Sequence, residues 1–184
     1  MAANRRCAVI VDRDGTVMLD VGYPKSPCDV RLLPGAGSAL ARLRANGFLL
    51  ILASNQSGIG RGLVGHDEAL RVHETLVSEL AEVGVQFDGS YYCPHRPGEG
   101  CACRKPEAGL LLRAARELDL DLTRCFVVGD QASDVEAGRR AGCRTVLLAG
   151  DSQSGDPGLR PDFVATCWPE VVRYILGGTQ EGAG

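Results

Sequence analysis

Apolar positions fall into short runs of strand length separated by segments in which they recur every three to four residues. Cys7-Ala8-Val9-Ile10-Val11, Phe48 to Ala53, Cys125-Phe126-Val127-Val128 and 144–149 are continuous apolar runs, as expected of strands covered on both faces. Residues 87–92 form a further strand. Between the strands the spacing is helical. Pro34-Gly35 opens a helix carrying Ala36, Ala39, Leu40 and Leu43, which stops at Gly47. A second helix is predicted from about Asp67 to Val83, a third after Pro106 through Leu110, Leu111, Ala114, Ala115 and Leu118, and a short one over 133–141. The polar, Gly-rich stretches 54–65 and 151–161 read as loops. An edge strand is expected at 162–166 and a last helix near Pro169–Leu176, with Trp168 as a core anchor.

Strands that alternate with helices at this spacing predict an α/β fold, a doubly wound parallel sheet. One domain over residues 1–176 is expected, with 177–184 as a disordered tail. Ligands of such sheets bind at the carboxyl ends of the strands. The polar signals fall there: Asp12 after the first strand, Ser54 after the second, Cys93 after the third and Asp130 after the fourth.

A length of 184 residues, with 45% hydrophobic and 23% charged positions, suits one domain with its own core. The net charge of -3 supplies no field for a polyanion and counts against nucleic acid as a partner. No apolar run approaches the roughly 20 residues that span a bilayer, and no signal-peptide core precedes the first strand. A cytoplasmic monomer that does not engage a membrane is expected. The chain has 8 cysteines. Cys7, Cys28, Cys125 and Cys143 lie apart in apolar runs or loops, as free thiols in a reducing compartment do. Cys93, Cys101 and Cys103 instead crowd into one loop with His95.

Asp12 and Asp14 flank Arg13, and Gly15 lets the chain turn so that both carboxylates can face one cavity. One carboxylate can attack phosphorus while the other protonates the leaving oxygen. The same Asp-x-Asp-Gly pattern also serves calcium loops and ordinary turns. Asp130, in Gly129-Asp130-Gln131-Ala132-Ser133-Asp134, shifts the balance, because Asp12 and Asp130 on neighbouring strand ends suit magnesium. Asp134 is either an auxiliary acid, a helix cap, or both. Ser54, opening Ser54-Asn55-Gln56-Ser57-Gly58, can hold phosphate oxygens, and Lys105 can offset charge on a transferring group. Taken singly, these two also fit a polar loop and a solvated cation. Cys93, His95, Cys101 and Cys103 make a Cys₃His set that closes a zinc site. With every position filled by protein, that zinc would be structural, folding a loop that has no core and fixing Arg104 and Lys105 beside it. His66 and His73 read as surface or packing residues.

Together these motifs resemble the haloacid dehalogenase (HAD) superfamily of phosphatases over about residues 7–150. Within it they are similar to the D-glycero-D-manno-heptose 1,7-bisphosphate 7-phosphatase group. The resemblance rests on Asp12-Arg13-Asp14-Gly15-Thr16, Gly22-Tyr23, Ser54-Asn55-Gln56-Ser57-Gly58-Ile59, Cys93-Pro94-His95 and Cys101-Ala102-Cys103-Arg104-Lys105-Pro106. It implies a HAD-like Rossmannoid sheet with no large cap domain and a zinc-binding loop insertion. Asp12 would be the nucleophile and a magnesium ligand, and Asp14 the general acid/base with its main-chain carbonyl on the metal. Asp130 would complete the magnesium site, and Ser54 and Lys105 would stabilise the phosphoryl group. Arg13, Asp20, Val21, Gly22, Tyr23, Asn55, Gln56, Ser57, Arg104 and Gln131 would meet the substrate, a small sugar phosphate. Cys93, His95, Cys101 and Cys103 would be the zinc ligands. The group usually carries Lys where this chain has Gln131, and its zinc loop is longer than Arg96 to Gly100. Histidinol-phosphate phosphatases share the same aspartates and zinc loop. A non-catalytic zinc-loop binding protein is the alternative from another class, and it predicts loss of at least one of Asp12, Asp14, Lys105 and Asp130; all are present.

Overall fold

Val9, Val11, Leu50 and Leu52 project to one side of a parallel sheet and Ala8, Ile10, Ile51 and Ala53 to the other, and all are buried. Two covered faces are why these strands show no polar alternation. The computed structural model describes residues 5–149, 158 and 160–177. The strands are β1 (Ala8–Val11), β2 (Leu49–Asn55), β3 (Gly89–Cys93), β4 (Phe126–Gly129), β5 (Arg144–Leu148) and β6 (Phe163–Ala165). They lie in the order β3-β2-β1-β4-β5-β6, with every pairing parallel.

The helices are α1 (Ala36–Ala45), α2 (Ser57–Gly60), α3 (His66–Glu82), α4 (Gly109–Leu118), α5 (Ala132–Ala141) and α6 (Trp168–Gly177). One face of the sheet is covered by Leu40 and Leu43 of α1, Leu76 and Leu80 of α3, and Trp168 and Ile175 of α6. The other is covered by Leu110, Leu111 and Ala114 of α4 and Ala137 of α5. No helix among the described residues is long and apolar enough to cross a membrane.

The chain winds outward from β1 through β2 to β3, then returns to β4 on the other side of β1. Loops leaving β1 and β4 therefore diverge and open a crevice at the carboxyl end of the sheet. Val11 pairs with Val128 in register, and the Asp12 N–H donates to Val128 O at 3.0 Å. Asp12 and Asp130 leave the sheet on adjacent strands at that crevice.

The elements depart from the sequence-based expectations at their ends. β2 runs on through Ser54 and Asn55 because β3 continues to pair there, Ser54 with Tyr92 and Asn55 with Cys93. Their polarity marks the site rather than the start of a loop. Cys93 likewise belongs to β3 instead of following it. The loop expected over 54–65 contains the single turn α2. Gly177, expected to begin the tail, is the last residue of α6; 178–184 and most of 151–161 lie outside the described residues.

Trp168 is a core anchor, 1% exposed, and it has a polar task as well. Its indole N–H donates to the Thr16 carbonyl at 2.9 Å, tying α6 to the loop after β1. Thr16 is fully buried, so no water replaces that donor. Trp168→Phe should therefore lower stability by about 1–3 kcal/mol, read as a shift in the urea midpoint, and should lower the turnover number as the loop loosens.

Candidate active site

Lys105 sits at the centre of the crevice, 4% exposed. Its ammonium reaches Asp12 Oδ1 at 2.9 Å and Asp134 Oδ1 at 2.5 Å, and donates to the Ala53 carbonyl at 2.8 Å. Neither carboxylate oxygen is aligned as a hydrogen bond, so Asp12 Oδ1 and Asp134 Oδ1 are buried with an ionic contact and no aligned donor. Burial works against the charge on Lys105, but Asp12 and Asp134 outweigh it and hold the ammonium protonated. The peptide around Lys105 is clasped by Asn55, whose Oδ1 accepts from Lys105 N at 3.0 Å and whose Nδ2 donates to Lys105 O at 3.1 Å.

Asp12, Asp130 and Asp134 present carboxylate oxygens within 4.8 Å of one another. Burial raises Asp134 to about 7, the Lys105 charge working the other way. Asp130 is also raised, chiefly by burial, against hydrogen bonds from Gln131 Nε2 (2.8 Å) and Thr16 Oγ1 (3.2 Å). Three carboxylates around one ammonium leave surplus negative charge in a poorly solvated place, which favours a hard cation. Asp134 also accepts from Gln131 N at 3.0 Å, so it caps α5 and pairs with Lys105 at once.

Asp14 faces a different set of partners. Arg13, 1% exposed, grips both of its oxygens at 2.9–3.2 Å. Gln56 Nε2 donates to Asp14 Oδ2 at 2.9 Å and to Ser54 Oγ at 3.0 Å, while Gln56 Oε1 accepts from Arg13 at 2.9 Å. Burial raises the Asp14 carboxyl above its ordinary value despite Arg13. A buried acid biased toward its proton suits general acid work. Ser54 Oγ, already accepting from Gln56, keeps its own hydrogen to donate.

Cys93, His95, Cys101 and Cys103 also converge. Cys93 Sγ lies 3.7 Å from Cys101 Sγ, 3.2 Å from Cys103 Sγ and 3.5 Å from His95 Nδ1, and Cys103 Sγ is 3.3 Å from His95 Nδ1. A tetrahedral zinc with bonds of about 2.3 Å would separate its sulfurs by about 3.8 Å, so the set fits with small adjustments. All 8 cysteines are free.

The other residues expected to meet the substrate lie around the crevice in different settings, and Tyr23 packs its ring against Gly58. Asp20, Val21, Gly22 and Tyr23 lie on an exposed loop, where Asp20 Oδ1 accepts from Gly22 N at 2.7 Å. Arg104 donates to the His95 carbonyl at 3.3 Å. Asn55, expected to meet the substrate, spends its amide on Lys105. Conversely, periodicity gave no sign of the tie from Trp168 or of a cavity of about 390 Å³ beside Arg13 and Gln56. That cavity is lined also by His66, His73 and Tyr92, whose hydroxyl lies 2.5 Å from His73 Nδ1. Only the presence of two histidines before a tyrosine-rich strand hinted at it.

The family model for HAD-hydrolase-like proteins matches residues 102–168. The D-glycero-β-D-manno-heptose-1,7-bisphosphate 7-phosphatase of Pasteurella multocida is 42% identical over 178 residues, covering 92% of this chain and 97% of the relative. That of Haemophilus influenzae is also 42% identical, covering 91% and 96%. The chain belongs to this family of HAD phosphatases. A crystal structure of D,D-heptose 1,7-bisphosphate phosphatase from B. bronchiseptica, complexed with magnesium and phosphate, aligns with a TM-score of 0.83. It is 36% identical and the match covers 94% of this chain and 99% of that one. Family membership agrees with the parallel sheet and with the acids that gather around Lys105 at its carboxyl end.

Gly15 lets these acids approach. It has φ +77, and a Cβ there would lie 2.3 Å from Asp130 Oδ2. Gly142 has φ +81 and no neighbour within 4 Å of a Cβ. Gly142→Ala should cost about 1–2 kcal/mol from backbone strain alone. Gly15→Ala should cost more in the same urea titration and should also lower activity, because Asp130 must move.

Proposed function

We propose that this phosphatase removes the 7-phosphate of D-glycero-D-manno-heptose 1,7-bisphosphate through an aspartyl-phosphate on Asp12. The observation that carries the chemistry is the convergence of Asp12, Asp14, Ser54, Lys105 and Asp130 at the crevice of the sheet. The relatives that share nearly the whole chain are named for the heptose substrate, which supports that choice.

Asp12 attacks phosphorus as the bond to the sugar oxygen breaks, and Asp14 gives that oxygen its proton. Asp14 then takes a proton from water, which attacks the aspartyl-phosphate and frees phosphate and Asp12. The Ser54 hydroxyl donates to a phosphoryl oxygen, and Lys105 offsets its charge while holding Asp12 in line. Gln56 and Arg13 keep Asp14 facing the leaving group. The donor set fits magnesium: Asp12 Oδ1 is buried without an aligned donor, and Asp130 faces the same point. Asp12, Asp130 and the main-chain carbonyl of Asp14 would hold the ion, which supplies charge neutralisation between the carboxylate and the phosphate. Cys93, His95, Cys101 and Cys103 would hold a structural zinc. Arg104, Gln131 and the loop from Asp20 to Tyr23 are the surfaces proposed to meet the rest of the sugar.

Asp12→Asn should abolish phosphate release while folding and about one zinc per chain persist. Activity surviving in this variant would defeat the nucleophile assignment. The substrate is tested by phosphate release from both anomers of the heptose bisphosphate beside histidinol phosphate and simple sugar phosphates. A clear preference for histidinol phosphate would overturn the heptose reading.

The raised acids predict a pH effect. A carboxyl whose folded pKa lies above its unfolded value adds stability at low pH and loses it as pH rises through the folded value. For Asp134 this window runs from 3.8 to about 7. A bound cation relieves the repulsion that appears as the acids ionise. The gain in thermal midpoint on adding magnesium to chelator-treated protein should therefore grow from about pH 5 to about pH 8.

A further inference from the structure

Asp12 and Asp134 share the ammonium of Lys105, but among the described residues no ion pair reaches Asp130. Neutral groups hold both of its oxygens instead. Thr16 Oγ1 donates to Oδ1 at 3.2 Å, and Gln131 Nε2 donates to Oδ2 at 2.8 Å. Each donor starts from a fixed backbone. Thr16 is fully buried, and its carbonyl accepts from the Trp168 indole at 2.9 Å. The Gln131 N–H donates to Asp134 Oδ2 at 3.0 Å, and the Gln131 carbonyl accepts from Asp134 N at 3.0 Å. Asp134 is in turn buried and anchored on Lys105.

Gly15 closes another side of Asp130, since a Cβ there would lie 2.3 Å from Oδ2 and 3.0 Å from Oδ1. The carboxylate is thus confined by two donors and a backbone, while one of its oxygens stays within 4.8 Å of oxygens on Asp12 and Asp134. A carboxylate can be ordered in two ways. A cation orders it and cancels its charge. A neutral amide or hydroxyl orders it and leaves the charge in place for another ion. Donors that grip a metal ligand from behind fix its orientation, and their loss weakens metal binding. Gln131 is an exposed residue, so replacing it opens no hole in the core.

We infer that Gln131 is a positioning residue for the divalent cation: its amide orients Asp130 as a ligand while adding no positive charge beside it. Gln131 then acts on magnesium through Asp130, and it sets how readily the site fills. A lysine at this position could donate to the same oxygen, but its charge would repel the incoming ion. The inference rests on the magnesium reading given above.

The test follows Mn²⁺, a spectroscopic stand-in for magnesium at oxygen ligands, by electron paramagnetic resonance on the zinc-loaded chain, with MgCl₂ added to displace it. Gln131→Met removes the donor and keeps the local charge. It should weaken binding of both ions by about tenfold, whatever the salt concentration. Gln131→Lys keeps a donor and adds a charge. It should weaken binding by about tenfold at low ionic strength, and that loss should shrink as the screening length falls from about 10 Å to about 3 Å. The magnesium needed for half-maximal hydrolysis of p-nitrophenyl phosphate should rise by the same factors. Asp130→Asn tests the site beneath the inference and should lose the ion. If Asp130→Asn binds Mn²⁺ as the wild type does, the magnesium reading falls and this inference falls with it. If Asp130→Asn loses the ion but either Gln131 variant binds it as the wild type does at low ionic strength, or the Gln131→Lys loss ignores salt, the inference alone is overturned. It is overturned too if the Gln131 variants raise KM at saturating magnesium with ion binding unchanged, which would make Gln131 a substrate contact.

Discussion

The rest of the site depends on one buried ammonium set among acids. Lys105 touches Asp12 and Asp134 and leans on the Ala53 carbonyl. Without it, three carboxylates would face one another where water is scarce, with no cation to work against the burial that already raises Asp130 and Asp134. In the proposed mechanism Asp12 attacks phosphorus, so the ammonium in contact with it is the first requirement of that chemistry. The structure spends a good deal of machinery on keeping Lys105 in place. Asn55 clasps its peptide from β2, and the Cys/His loop ends two residues before it.

Asp12 and Asp14, proposed as nucleophile and general acid, are kept in separate electrostatic settings although one residue divides them. Asp12 looks toward Lys105 and Asp130. Asp14 looks toward Arg13 and, through Gln56, toward Ser54. Burial raises Asp14 even against a guanidinium at 2.9 Å. The neighbouring turn at Gly15 makes the split possible, because it brings Asp130 up behind the loop without a side chain in the way. The result is one carboxylate against an ammonium and another against a guanidinium, the division that the proposed mechanism needs.

The parts legible in the sequence were those governed by local or topological rules. Continuous apolar runs located the strands because both faces of the sheet are covered. The rule that ligands sit at strand carboxyl ends then brought Asp12, Ser54, Cys93 and Asp130 to one end of the sheet before any coordinates. The Cys₃His set was legible from ligand chemistry alone. What escaped were pairings with no local pattern. Arg13, expected to meet the substrate, lines the cavity beside Gln56 and is at the same time paired with its own neighbour Asp14. Asn55 looked like part of the substrate path, but its amide is committed across 50 residues to Lys105. Ser54 and Asn55 read as loop because polar residues at a strand end carry no strand signal, although their pairing with β3 is intact.

The bond from Trp168 to the Thr16 carbonyl spans 152 positions of sequence. On the ribosome, the loop that carries Asp12 is therefore made well before it is finished. It can take its place beside β4 only after the fourth strand is synthesised, and it gains its indole clasp only when α6 emerges. A nascent chain stalled before α6 would thus carry Asp12, Asp14, Lys105 and Asp130 with the loop after β1 still unfastened.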